Sequence, residues 1–306
     1  MIYIDKYCLG ADICVMKQKQ EYLLDIPLAC SVALEGGLKK YRNILQPLPD
    51  NSLEFIEDWN SSLISVLRYP KFKKYLGAFG RSIVMLRNPR LVAWGVDKVS
   101  VPYRSFYYAS RFTESLNFAT NKAQEFQNLN INKNTSPIVV DFGHGLSPWS
   151  PLLNENLDFI TTYMADKGLV HDVYEKTMDI MKLQSRPKNI NMERINLIPS
   201  FQKLVFVSLG TFVYLPKEER TKILKDIVSK FRYFYVGLEL DKAQKDGKIV
   251  ENMGVAYQKG WNVLELQKVI GTEISIKTLL DDSVYYKEFK NLENSLRAAT
   301  EFFIQR

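Results

Sequence analysis

Pro137-Ile138-Val139-Val140-Asp141-Phe142-Gly143-His144-Gly145-Leu146-Ser147-Pro148 is the stretch that decides the fold. Ile138, Val139 and Val140 form a continuous β-branched apolar run, as expected for a strand covered on both faces. Directly after it come Asp141 and two glycines two positions apart, Gly143 and Gly145, with His144 between them. Glycines in such a turn let the backbone approach another group closely, because no side chain stands in the way.

Working outward, the chain alternates strands and helices from Pro137 onward. Phe159–Met164 (FITTYM), Leu204–Leu209 (LVFVSL) and Arg232–Leu240 (RYFYVGLEL) read as further strands. KGLVHDVYEKTMDIMKLQ follows the second strand and PKEERTKILKDIVSKF the third, the latter opening at Pro216, where a first-turn proline is welcome. Alternation with short links implies right-handed crossovers and a parallel sheet. EISIKT and TEFFIQR supply the last strands, and residues 103–128 read as a helix leading into the sheet. In such sheets ligands sit at the carboxyl ends of the strands.

Residues 1–100 read differently. LDIPLACSVALEGGLKKY predicts a short helix broken by Gly36 and Gly37. Asn51–Tyr69 predicts a helix capped by Asn51 or Ser52, with Ile56, Trp59, Leu63 and Leu67 on its apolar face. Ser82–Val96 shows two apolar runs split by Asn88-Pro89, a turn between buried or hairpin segments. The expected organisation is an N-terminal, largely helical cap or substrate region at 1–100 and an α/β domain at 101–306.

Composition excludes several classes. Hydrophobic residues make up 46% and charged residues 25%, which rules out a disordered chain. The excess of 41 basic over 34 acidic residues suits an anionic partner or a merely solvated basic surface. The three cysteines lie near the N-terminus and only two histidines occur, so no metal site is expected. The first residues, MIYIDKYCLGADICVM, carry an early acid and no long apolar core, and no run of apolar residues is long enough to span a bilayer. A cytoplasmic protein with no membrane association is expected.

The Gly-x-Gly turn lacks the third glycine of a pyrophosphate-binding fingerprint, and an acid precedes it. That favours a ligand without phosphates, such as S-adenosyl-L-methionine; the alternative is a tight strand-to-helix turn with no ligand. Asp166, at the end of the second strand, suits the two ribose hydroxyls of an adenosine, and equally the N-cap of the helix beginning near Lys167. His144 suits a general base, or a loop histidine bonded to backbone.

Four segments, in order, resemble the leucine carboxyl methyltransferase family. DFGHGLSPWSPLL (Asp141–Leu153) looks like its glycine motif, and TYMADKGLVHDVYEKTMDIM (Thr162–Met181) like the segment whose acid meets the ribose. VFVSLGTFVYLPKEERTKIL (Val205–Leu224) is similar to the segment lining the cofactor pocket, with Leu209 where the family has Glu. YYASRFTESLNFA (Tyr107–Ala119) resembles its upstream helix. The resemblance implies a doubly wound, mostly parallel, seven-stranded Rossmann-like methyltransferase sheet. It implies S-adenosyl-L-methionine as cofactor, bound by Asp141, Gly143, His144, Gly145, Asp166, Lys167, Leu209, Gly210 and Tyr214. It makes Arg111, Tyr108 and His144 the candidate catalytic residues. Arg111 would meet a carboxylate of cofactor or substrate; the alternative is a surface ion pair with Glu114. The implied substrate is a carboxylate on a small molecule or peptide. A non-catalytic binding partner, or methylation of a hydroxyl or nitrogen of a small molecule or RNA, stays open. Against RNA, the chain has no Asn/Asp-Pro-Pro-aromatic segment to grip a flipped base.

Overall fold

The structure is a computed structural model, and it describes residues 24–86, 103–129, 136–165, 168–190, 192–198, 203–209, 212, 217–239, 268–269, 271, 275–278 and 301–305. Its centre is β1 (Ile138–Phe142), flanked by β2 (Thr161–Ala165) and β4 (Lys203–Ser208). Both neighbours run parallel to β1. β3 (Lys188–Asn189) extends the sheet beyond β2, and β5 (Tyr233–Glu239) extends it beyond β4, again in parallel. β6 (Ser275–Thr278) and β7 (Glu301–Gln305) close the far edge, β7 lying antiparallel between β5 and β6. The strand order is β3-β2-β1-β4-β5-β7-β6. The doubly wound, mostly parallel α/β sheet expected from the alternating pattern is thus the fold. The chain moves outward from β1 to β3, then returns to start again at β4. Its direction of progress reverses between β1 and β4, and such a reversal opens a crevice at the strands' carboxyl ends.

Successive side chains of β1 serve opposite faces, as the pleat requires. Val139 joins a core with Phe112 and Leu116 of α5 (Tyr103–Leu129) and Leu152 and Leu153 of α6 (Trp149–Asn156). Val140 joins the other core, with Phe206, Phe234, Ile195 of α8 (Met192–Leu197) and Leu224 and Ile227 of α9 (Lys217–Lys230). All six residues of β4 are buried, consistent with cover on both faces. α7 (Gly168–Met181) connects β2 to β3, and its Val173, Tyr174 and Met178 are buried.

The N-terminal helices are built into these cores. α1 (Asp25–Tyr41) is unbroken, contrary to the helix interruption expected at Gly36-Gly37. The reason is a close crossing. A Cβ on Gly37 would lie 1.9 Å from the carbonyl oxygen of Ser105 in α5, so Gly37 lets two helix backbones touch. Leu34 and Leu38 of α1 then share the core of Phe106, Phe112 and Val139. α2 (Ser52–Leu67) is the expected helix, with Ile56, Trp59, Leu63 and Leu67 buried. Asn51 is its N-cap residue and makes no side-chain capping bond; Ser52 Oγ instead donates to the Pro49 carbonyl at 2.6 Å. A short α3 (Pro70–Lys73) leads to α4 (Ala78–Leu86). Ser82–Leu86, expected as one arm of a hairpin or buried run, is the second half of α4, with Ile83 and Val84 buried beside α1 and α2. Short apolar runs do not distinguish strand from buried helix. Asn88-Pro89 and the run after it lie outside the described residues, as does Pro216.

Gly37→Ala should cost about 2–3 kcal/mol of stability by urea unfolding, because overpacking against backbone exceeds the roughly 1 kcal/mol gained in helix propensity. A stability equal to or above wild type would contradict the crossing.

Asp25 ties the start of α1 to the α3–α4 link by accepting the Gly77 N–H at 2.9 Å. Burial pushes its carboxyl above the ordinary aspartate range, against the lowering effect of the Gly77 and Gly80 N–H groups and Arg81. The native carboxyl therefore takes up a proton more readily than the unfolded one. It adds stability only at acid pH, and that contribution is lost as pH rises through its native pKa. Asp25→Asn should flatten the acid-side pH dependence of the urea midpoint; an unchanged profile would count against the assignment.

Candidate functional site

β1 ends by turning its chain over in the left-handed region. Gly143 has φ 70° and Gly145 φ 57°, values that cost an L-residue with a side chain about 1–2 kcal/mol. Both glycines are half-buried. The Ser147 N–H donates to the His144 carbonyl at 3.1 Å, which closes the turn before α6 begins. A Cβ on Gly145 would stand 3.7 Å from Cβ of Pro27, so the first turn of α1 overlooks this side of the loop.

Asp141, the last but one residue of β1, is 3% exposed. It accepts the Ser150 hydroxyl at 2.7 Å, which sets its carboxylate against the first turn of α6. A helix N-terminus carries partial positive charge, so a carboxylate beside the first turn is favourably placed.

Three other elements grip the turn. The Trp59 indole N–H of α2 donates to the Leu146 carbonyl at 2.9 Å, and the Tyr174 hydroxyl of α7 donates to the Ser147 carbonyl at 2.9 Å. The Trp149 indole N–H donates to Ser115 Oγ of α5 at 2.9 Å. His144 is 5% exposed and packs edge-on against the Tyr174 ring, centroids 4.3 Å apart, while Tyr174 meets Trp59 at 4.7 Å.

β4 delivers the opposite wall. Asp141 pairs with Val207, so Leu209, the residue after Ser208, emerges beside the glycine turn. Arg111 of α5 is 2% exposed and donates from Nη1 to the Leu209 carbonyl. It is a buried arginine at the strand reversal, not the surface residue of the ion-pair alternative. Glu114 accepts the Tyr235 hydroxyl at 2.9 Å. Tyr108, half-buried on the same helix, packs against the core of α5 and also against that of α1 and α2.

The structure thus gathers Asp141, Gly143, His144 and Gly145 in one turn and brings Leu209 and Arg111 to the adjacent strand end. Ala165, the last residue of β2, pairs with Phe142. Asp166, Lys167, Gly210 and Tyr214 lie outside the described residues. Among the described residues no group of His, Cys, Asp and Glu could hold a metal ion, and no helix is long and apolar enough to cross a membrane.

Two features escaped the sequence. Ser208 looks like part of an apolar run, yet its fully buried hydroxyl ends β4 with no hydrogen-bond partner among the described residues. Beside it on the sheet, Phe142 packs against Phe206 and Phe212, with ring centroids 5.7 and 6.0 Å apart. Trp59 looked like an ordinary apolar-face residue, because nothing local marks a bond across 87 positions.

No known protein family and no curated protein matches the chain. Among solved structures it is similar to magnesium protoporphyrin IX methyltransferase (ChlM) from Synechocystis PCC 6803 with bound SAH, at 10% identity and a TM-score of 0.39, covering 64% of this chain and 85% of that one. It is similar to the plantazolicin methyltransferase BpumL in complex with SAH, at 14% identity and a TM-score of 0.39, covering 82% and 95%. It also resembles an O-methyltransferase family protein from Burkholderia thailandensis, at 10% identity and a TM-score of 0.35, covering 68% and 61%. Likenesses this distant leave function to be argued from the site itself.

The stranded hydroxyl gives a test. A desolvated hydroxyl with no partner costs about 1–3 kcal/mol, so Ser208→Ala should raise the ligand-free protein's stability by about 1 kcal/mol in urea unfolding. A loss of stability would mean that Ser208 is bonded in solution.

Proposed function

We propose that this chain is an S-adenosyl-L-methionine-dependent methyltransferase that methylates a carboxylate oxygen of a small molecule or peptide. The observation that carries the proposal is the left-handed Gly143-His144-Gly145 turn at the β1/β4 reversal, with Asp141 set against the start of α6. Nucleotide phosphates bind where a glycine turn leaves a helix N-terminus open. Here the Asp141 carboxylate lies against the first turn of α6 through the Ser150 hydroxyl, Pro148 stands buried where a third glycine would be, and Ser150 is fully buried. A phosphate would meet the like charge of Asp141 and a proline ring in place of the glycine. An adenosyl group with a cationic sulfonium meets neither obstacle.

Bound there, S-adenosylmethionine supplies an electrophilic methyl group whose transfer to an oxygen leaves a neutral thioether. The chain's own residues have to bind, orient and exclude water. The glycine turn presents bare backbone, and we assign to Asp141, Gly143, His144, Gly145 and Leu209 the near wall of the cofactor site. Asp166, Lys167, Gly210 and Tyr214 complete the proposed set. Arg111, fixed at one nitrogen by the Leu209 carbonyl, is placed to orient a carboxylate by a charge-assisted bond. A carboxylate with a pKa near about 4 is already ionised at neutral pH, so no general base is required. Alignment in a dry site can contribute roughly 7–11 kcal/mol. Tyr108 is proposed to line the substrate side, with residues 1–100 proposed as its cap or substrate region. His144, packed on Tyr174, then serves the turn's shape; a hydroxyl or nitrogen substrate would need it as a base instead, and loss of turnover in His144→Ala with S-adenosylhomocysteine binding retained would favour that alternative.

Calorimetric titration with S-adenosylmethionine and S-adenosylhomocysteine, followed by a methyl-transfer screen of carboxylic acids, tests the proposal. One-to-one binding of both and turnover of a carboxylate are expected, with kcat/KM lowered about 10²-fold in Arg111→Lys because the planar fork is lost. Binding without any transfer would make the chain a binding partner, and absence of binding would overturn the cofactor.

A further inference from the structure

We infer that Trp59 and Tyr174 are positioning residues for the ligand-binding turn, so that the N-terminal helix α2 sets the site's affinity without lining it. The inference builds on the proposed cofactor site and adds the device that holds it in shape.

Glycines have the most backbone freedom of any residue, so a Gly-x-Gly turn left to itself samples many conformations. A ligand that selects one of them loses affinity by the cost of ordering the rest. Here two consecutive carbonyls just beyond the glycines are captured from outside. Leu146 O accepts from Trp59 Nε1 and Ser147 O accepts from the Tyr174 hydroxyl, both at 2.9 Å. Trp59 and Tyr174 are both 0% exposed, and their rings pack at 4.7 Å with an interplanar angle of 61°. Tyr174 also meets His144, the residue between the glycines. Bonds at 146 and 147 and a ring contact at 144 fix the loop on both sides of Gly145. The donors come from helices 87 and 27 positions away in sequence, so the turn keeps its shape only while α2 and α7 stay docked. At the next residue of α2, Ser31 of α1 donates to Asn60 Oδ1 at 2.7 Å, and Asn60 Nδ2 donates to Glu35 at 2.8 Å, a buried seam that locks α2 to α1.

Trp59→Phe and Tyr174→Phe each remove one donor and keep a ring. In the full-length protein each should weaken binding of S-adenosylhomocysteine about three- to tenfold by calorimetry. Each should also speed amide exchange at Ser147, whose N–H closes the turn. Ile227→Ala, in the core on the opposite face of the sheet, should lower Tm and leave both readouts unchanged. A folded Trp59→Phe or Tyr174→Phe protein with wild-type affinity overturns the inference, whatever its Tm. Wild-type protein that fails to bind S-adenosylhomocysteine overturns the cofactor site instead; the exchange comparison then decides the clamp, and unchanged exchange in both variants overturns it.

Discussion

A strand that ends in the middle of a parallel sheet must hand its chain to a helix within a few residues, and β1 does so through two glycines in the left-handed region. Much of what surrounds the site follows from that reversal. The Asp141–Ser150 bond fixes where α6 starts. α2 and α7 supply the buried donors that hold the next two carbonyls. α1 brings Pro27 over the turn, which requires α1 to lie tightly on α5, and that crossing requires Gly37. The N-terminal helices are therefore part of the machinery that shapes the β1 turn.

The electrostatics have the same origin. A helix N-terminus at a strand reversal invites an anion. This chain sets its own carboxylate, Asp141, beside that first turn, which on the proposed function disfavours a phosphate there. Arg111 places the opposing charge on the other wall, buried and tied to the Leu209 carbonyl. A carboxylate at the end of β1 and a guanidinium that α5 brings to the end of β4 would, on the proposed function, suit a ligand that carries both a cation and a carboxylate, as the methionine part of S-adenosylmethionine does.

The central strands were legible because they are buried on both faces and so read as plain apolar runs: Ile138–Val140 and Leu204–Val207 need no partner to be recognised. The long helix α5 and the face of α2 were legible from their period. A helix was expected after the glycine turn, but the bounds of α6 were not legible because Trp149-Ser150-Pro151 shows neither a cap nor a repeat, and β3 was missed because it is two residues long. Gly36-Gly37 misled for a different reason. Locally a glycine pair argues for a break, and only the Ser105 carbonyl, brought in by tertiary packing, explains a glycine inside an intact helix. The turn's glycines and Asp141 could be picked out from sequence because they are contiguous. Trp59, Tyr174 and Ser208 could not, because their roles exist only once distant segments have met.

The most direct measurement is a crystal structure of the protein with S-adenosylhomocysteine. The account requires the nucleoside to lie across the carboxyl ends of β1 and β4, in contact with the backbone at Gly143 and Gly145. Density for it elsewhere on the molecule, with that turn closed over by protein, would contradict the account at its root.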